Sequence, residues 1–373
     1  MSRTALGPLR VVDFSRILAG PFATMVLADL GADVAKVERP GSGDDTRGWG
    51  PPFDDAGRAT YFQAVNRNKD AVALDLGEPA GRSRAIELIA EADVLVENFR
   101  PGVMARLGLG YEEMRAINPG LVYCSITGFG AGAGAELPGY DLLVQALGGL
   151  MSITGSPDGE PQKVGVALVD VLAGLFASVG ILAALRHRDA SGGEGQLVEI
   201  DLLTSLLAAL VNQGSAHTLA GVVPGRMGNA HPSIAPYELL RTADGELVVA
   251  VGTDRQFASL CEVLGAPALA TDRRFATNAA RVAARAELRA ALEGRLAERS
   301  AGEWAAELTE RGVPAGIVND VGQAFELAAR LGLEPTVEIP RGDGGTARLT
   351  RNPIRLSATP ATYRDAPPEL PED

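Results

Sequence analysis

The N-terminal half of the chain alternates short apolar runs with helical patterns. LRVVDFS reads as a strand, PFATMVLADLG as a helix and DVAKVE as a strand. AVALDL, DVLVEN and LVYCSIT continue the strands, with helices around Gly81–Ala90 and Tyr111–Ile117 between them. Short continuous apolar strands separated by helices indicate βαβ units and a parallel sheet covered on both faces. From Val164 to Leu185 the only charged side chain is Asp170, a pattern that predicts a long buried helix. GQLVEIDLL then reads as another strand, with a long helix to about Ala220.

From roughly Gly221 the pattern changes. YELLRTADGELVVAVG holds two β-rich runs around Ala243-Asp244-Gly245, a hairpin signature. Helical patterns follow at Asp254–Leu264, Arg281–Glu298 and Ala301–Arg311, so Pro224–Arg311 reads as a smaller α+β domain. VPAGIVND looks like a returning strand, and Val337–Ser357 holds further strand-like pieces with Gly-rich turns. The Pro- and acid-rich end, ATPATYRDAPPELPED, is expected along the surface.

Composition narrows the partners. The chain has 46% hydrophobic and 22% charged residues and a formal charge of −13, which argues against nucleic acid or an anionic membrane as partner. An anionic ligand would need a local cationic cluster. Cys124 and Cys261, the only cysteines, lack metal spacing and fit a reducing compartment, and no secretory h-region is visible, so a cytoplasmic location is expected. The Val164–Leu185 run is long enough for a membrane span, but it carries Asp170 and glycines and has no aromatic belt. A core helix is the expectation.

Most familiar catalytic constellations are absent. The first turn, SRILAGP, lacks the G-x-G-x-x-G spacing of a dinucleotide site, and GFGAGAG at Gly128–Gly134 fails it too. That second loop reads either as a flexible connection or as a ligand-contacting loop at a sheet edge. His187, His217 and His231 are dispersed and make no metal pattern. Asp170 remains, with two readings: a helix N-cap, or a carboxylate kept ionised by a helix N-terminus and able to act as a covalent nucleophile. Asp141, in PGYD, reads as a helix cap or as part of a site beside Tyr140. Arg39, Arg67, Lys69, Arg100 and Arg106 recur at strand ends, as solvated charges or jointly as an anion site.

These pieces together resemble the class III coenzyme A transferases, the CaiB/BaiF family of formyl-CoA transferase and carnitine CoA-transferase. The elements that carry the resemblance are VVDFSRILAGPFATMVLADLGADVAKVERPGSGD, AVNRNK, ADVLVENFRPGVMARLGL, INPGLVYCSITGFG, PGYD, VALVDVLAG, GGEGQLVEIDL and RMGNAHPSIAPYELLRTADGELVVAVGTDRQFASLC, in that order. The resemblance implies an α/β fold: a Rossmann-like, CoA-binding large domain from 1–200 and 325–373, a small α+β domain at 224–312, and linkers at 201–223 and 313–324. It also implies an interlocked homodimer and an active site between domains. Asp170 would be the nucleophile, passing through an aspartyl anhydride and an aspartyl-CoA thioester. Coenzyme A and acyl-CoA would be substrates, with no permanently bound cofactor and no metal.

The implied CoA contacts are Ile17, Leu18 and Ala19 in the early loop, Arg39 and Arg106 near the phosphates, Leu74 near adenine, Asn98, Phe99 and Arg100, and Tyr140 near the thiol. Two lysines of formyl-CoA transferase are replaced by Gly77 and Pro138, so those contacts must come from elsewhere. The racemases of the family carry a histidine where this chain has Tyr140, which favours transferase over racemase; a non-catalytic CoA-binding protein is the third alternative. The loop GNAHPSIAPYE is stiffer than the glycine-rich loop of formyl-CoA transferase. It points to succinyl-CoA or a related dicarboxylate donor, with His231 as a candidate carboxylate contact or a plain loop residue.

Overall fold

A computed structural model describes residues 4–371. The chain forms two compact units: one takes the residues up to Leu150, Lys163–Val222 and the chain from Glu334, the other Met151–Gln162 and Val223–Leu333.

The first unit is built on a six-stranded, fully parallel sheet: β1 (Arg10–Asp13), β2 (Asp33–Glu38), β3 (Lys69–Ala73), β4 (Val94–Glu97), β5 (Val122–Thr127) and β6 (Leu197–Asp201). Their order across the sheet is β3-β2-β1-β4-β5-β6, the doubly wound order. Successive side chains enter opposite faces. Val11, Val34, Val94, Val96 and Cys124 pack with helices Ala19–Asp29 and Leu168–Ala190, while Val12, Phe14, Leu95 and Tyr123 pack with Ala85, Ile89 and Met114 on the other face. Burial on both faces explains why the strands read as apolar runs.

The helix Leu168–Ala190 buries Val169, Ala173, Ala177, Ile181 and Ala184 against this core. At Gly174 an added Cβ would stand 2.6 Å from the Ala19 carbonyl oxygen, so glycine permits the close crossing with helix Ala19–Asp29. Where the sequence predicts a long buried helix, burial is one-sided: Leu175, Phe176 and Val179 are exposed. The helix is long and apolar enough to cross a membrane by length and composition. The long helix expected after β6 is two helices, Leu202–Ala209 and Val211–Ala220, broken where Val211 adopts a φ of 41°.

In the second unit β7 (Tyr237–Arg241), β8 (Glu246–Ala250) and β9 (Ala315–Ile317) form an antiparallel sheet over a core that includes Phe257, Leu260, Leu292, Trp304 and Leu308. The segments expected as linkers are structured. Residues 201–223 hold the two helices just described, and 313–324 holds β9, hydrogen-bonded to β8. The helix expected over Arg281–Glu298 is split into Asn278–Ala283 and Arg285–Leu296. The chain from Glu334 forms a hairpin of β10 (Thr336–Pro340) and β11 (Thr346–Thr350). It then runs back along the first unit, where Asn68 donates to the Thr362 carbonyl and Asp29 accepts from Asn352.

Candidate active site

In a doubly wound sheet, ligands bind outside the C-terminal strand ends where the strand order reverses. Here that point lies between β1 and β4. The loop after β1 is fastened to the loop after β4 by one side chain. Asn98 Nδ2 donates to the Arg16 carbonyl at 2.7 Å, and its Oδ1 accepts from the Arg16 N–H at 2.8 Å. Next along the loop, Ile17 has a φ of 70°, a left-handed conformation that β-branched residues rarely adopt. Its N–H donates to the Asp44 carboxylate at 3.2 Å.

Buried charges underlie this loop. Lys36 Nζ reaches the Asp44 carboxylate and the Ser15 carbonyl, both at 3.0 Å. Lys69 Nζ pairs with Asp13 at 3.1 Å and donates to the Pro21 carbonyl at 2.9 Å. Burial works against the Asp13 charge, but Lys69, Lys36 and the hydroxyls of Ser15 and Thr24 outweigh it and hold the carboxyl below its usual range. Burial pulls the Lys69 ammonium down to about 8, against the attraction of Asp13. Lys69 and Arg67 are therefore no part of an anion site. Lys69 is spent on Asp13, and Arg67 on a buried bidentate pair with Asp29 at 2.6 and 2.8 Å.

A cleft of about 170 Å³ opens at the switch point, lined by Arg16, Ile17, Ala19, Asn98, Phe99, Arg100, Tyr140 and Asp170 among others. Gly128, Gly130 and Gly134 of the glycine-rich loop line it too, so the ligand-facing reading of that loop has a geometric basis. A neighbouring slot of about 210 Å³ is mostly apolar and is lined by Leu74, Leu76, Gly77, Phe14, Leu107 and Arg39. Arg16 and Phe99 line both, with the guanidinium 5.1 Å from the ring centroid. Phe99 is steadied from behind: Glu97 accepts its N–H at 2.8 Å, and burial pushes the Glu97 carboxyl up to about 7.

Asp170 does not cap its helix. It is the third residue of Leu168–Ala190, and its half-buried carboxylate accepts no hydrogen bond among the described residues. The cap comes from Asp141, whose Oδ2 accepts from the N–H groups of Val169 at 2.8 Å and Asp170 at 3.1 Å. Asp141 thus caps a helix other than the one it begins. Gln145, fully buried, donates to Asp141 Oδ1 at 2.5 Å and accepts from the Val164 N–H at 2.9 Å. Burial, with the charge of Asp141, pushes Asp170 up to about 7. The expectation that the helix N-terminus keeps Asp170 ionised is not met: burial, then the charge of Asp141, raises it, and Asp141 accepts the N–H groups of residues 169 and 170.

The expected residues divide as follows. Ile17, Ala19, Asn98, Phe99, Arg100, Tyr140 and Asp170 share the cleft; Leu74 and Arg39 share the slot. Gly77 lines the slot and Pro138 the cleft. Leu18 precedes helix Ala19–Asp29 and Arg106 ends the short helix Val103–Arg106; neither lines either cavity. Arg100 and Arg106 are exposed and make no ion pair among the described residues; Arg39 pairs with Asp45 at 2.5 Å. His231 belongs to the second unit, where its Nδ1 accepts from the Ser233 N–H at 3.1 Å, leaving Nε2 to carry the proton.

Three participants escaped sequence reasoning: Arg16, Gln145 and Tyr61. Burial and the charges of Asp170, Asp141 and Asp44 push the Tyr61 phenol up to about 12, so it stands within electrostatic reach of all three aspartates. A basic residue in a switch-point loop was the available signal for Arg16; the other two had none.

The family model for CoA-transferase family III matches residues 6–373. A succinate–glutarate CoA-transferase of Agrobacterium fabrum is 44% identical over 98% of this chain and 93% of its own length. An acetyl-CoA:oxalate CoA-transferase of Acetobacter aceti is 41% identical over 94% of this chain and 88% of its own. The crystal structure of a CaiB/BaiF family protein from Brucella suis is similar with a TM-score of 0.87 and 45% identity, covering 99% of this chain and 97% of that one.

Proposed function

The chain belongs to CoA-transferase family III and is a CoA-transferase, and we propose that it moves CoA from succinyl-CoA or a related dicarboxylyl-CoA to a second dicarboxylate through covalent forms of Asp170. A carboxylate oxygen of Asp170 attacks the donor thioester carbonyl. The C–S bond breaks and its electron pair leaves on sulfur, giving an aspartyl–acyl anhydride and CoA thiolate. The thiolate attacks the Asp170 carbonyl of the anhydride, which releases the donor carboxylate and leaves an aspartyl-CoA thioester. The acceptor carboxylate attacks that carbonyl and expels the thiolate. The thiolate then takes the acceptor's acyl group and frees Asp170.

The observation that carries this reading is the setting of Asp170: a carboxylate free of hydrogen bonds among the described residues, half-buried, at the cleft beside the switch point. Such a carboxylate is a stronger nucleophile than a solvated one, and a shielded cleft protects an anhydride from water. In this reading the apolar slot at Leu74 takes the adenine, Arg39 and Arg106 attend the phosphates, and the pantetheine passes Phe99 toward Tyr140. Arg16, common to both cavities, stands in for the lysines absent at Gly77 and Pro138. The dicarboxylate class rests on the substrates named for the relatives, and His231 is the proposed contact for a distal carboxylate.

No histidine lines this cleft of the first unit, which weighs against α-proton transfer. The deciding experiment incubates the protein with succinyl-CoA and glutarate or oxalate and follows acyl exchange by mass spectrometry. Exchange is expected, with hydroxylamine converting Asp170 to its hydroxamate. Exchange surviving in Asp170→Ala removes Asp170 as nucleophile, and α-deuterium wash-in without CoA exchange makes the protein a racemase.

A further inference from the structure

Asp170 sits at a helix start whose N–H groups are occupied by another anion. Asp141 holds the N–H groups of Val169 and Asp170, and Gln145 holds Asp141 from the buried side while also binding the Val164 N–H. No cation pairs with Asp141 among the described residues; three N–H donors satisfy its oxygens without cancelling its charge. The segment Val164–Asp170 is thereby tied at both ends to the helix that begins at Asp141.

We propose that Asp141, anchored by Gln145, is a positioning residue of the transferase: it fixes the backbone of Asp170 and uses its charge to favour the covalent aspartyl forms over the free carboxylate. The inference rests on Asp170 being the nucleophile. In the free enzyme two carboxylates face one helix start. Once Asp170 is esterified as anhydride or thioester it is neutral, the repulsion ends, and the helix dipole serves Asp141 alone. The same relief accompanies protonation of Asp170.

The other ionisable groups around this point do not supply that effect. Helix Ala19–Asp29 carries only Asp29, which is paired with Arg67, and helix Leu202–Ala209 carries none. On β5 are Tyr123 and Cys124, both buried; on β6 are Glu199 and Asp201, the latter capping helix Leu202–Ala209. Tyr61 is neutral at working pH, and Arg16, Arg100 and Tyr140 share the cleft.

The test uses the intact protein, with loss of exchange in Asp170→Ala established first as the check on the parent reading. Asp141→Asn keeps an oxygen acceptor for the helix and removes the charge. Its acid limb of kcat/KM for the acyl-CoA donor should move down by at least half a pH unit. The fraction of enzyme trapped by hydroxylamine after mixing with donor alone should fall severalfold. Gln145→Leu keeps the charge and removes the anchor: its acid limb should stay in place while kcat drops at least fivefold. An Asp141→Asn profile superimposable on wild type overturns the charge effect. Unchanged kcat in Gln145→Leu overturns the positioning, and that arm decides the matter if Asp141→Asn does not fold. With Asp170→Ala still active, the parent reading fails and the inference with it.

Discussion

The carboxylate of Asp141 lies across the helix start of Asp170, taking the N–H groups of residues 169 and 170 at 2.8 and 3.1 Å. An aspartate in the first turn of a helix is ordinarily helped to ionise by those groups. Here they serve a neighbour of the same charge, and burial together with that charge raises Asp170 to about 7.

The first consequence is a pH dependence. The attacking form of Asp170 is the carboxylate, so kcat/KM for the acyl-CoA donor should rise about tenfold per pH unit below 7 and level off above it. A pH–rate series under first-order conditions reads this directly. A profile flat down to pH 5 would contradict a raised Asp170.

The second is a stability linkage of opposite sense to the usual paired carboxylate. Folding raises Asp170 from 3.8 to about 7, so between these values the native state holds a proton that the unfolded chain has lost. That contribution is complete below the lower value and gone above the upper one. At ~1.4 kcal/mol per pH unit, and with some solvent screening at a site that is not fully buried, the change is on the order of 1–3 kcal/mol. Asp170→Asn should therefore gain thermal stability relative to wild type at pH 8 and gain little at pH 4. Equal Tm differences at the two pH values would rule the linkage out.

Asn98 offers a third. Its amide donates to and accepts from the Arg16 backbone, and the strained Ile17 follows directly. Asn98→Ala removes two hydrogen bonds worth about 0.5–1.5 kcal/mol each and lets the loop relax. Denaturant unfolding should show a loss of about 1–3 kcal/mol, and KM for acyl-CoA should rise about tenfold. Asn98→Asp restores only the accepted bond and should recover little. If KM holds while stability falls, the clamp is structural alone.

How far the sequence reveals these features depends on their locality. The parallel sheet is legible because strands such as VLVE and VYCSIT are buried on both faces and leave a continuous apolar signature. Asp170 stands out because a lone charge interrupts such a run. The cap is not legible, since capping is sought within a few residues and Asp141 lies 28 and 29 positions before the N–H groups it accepts. Lys69 and Arg67 look like surface cations for the same reason: their partners Asp13 and Asp29 are 56 and 38 residues away. The break at Val211 carries no Gly or Pro to announce it.

A last prediction comes from the helix that carries Asp170. Its core stripe is buried, yet Leu175, Phe176 and Val179 are exposed on its other side, Val179 to 64%. The nearby helical segment 202–220 exposes Leu207, Val211 and Leu219, the last to 87%. Exposed apolar side chains of this size on consecutive helices are costly unless a partner covers them. We take that partner to be a second copy of the chain, and light scattering on a sizing column should return about twice the 38.7 kDa chain mass. Val179→Glu, placing a charge at the centre of this face, should shift the particle toward monomer and lower exchange activity, because the face belongs to the helix that positions Asp170. A monomeric wild type would sink the assignment, and a dimer untouched by Val179→Glu would move the interface elsewhere.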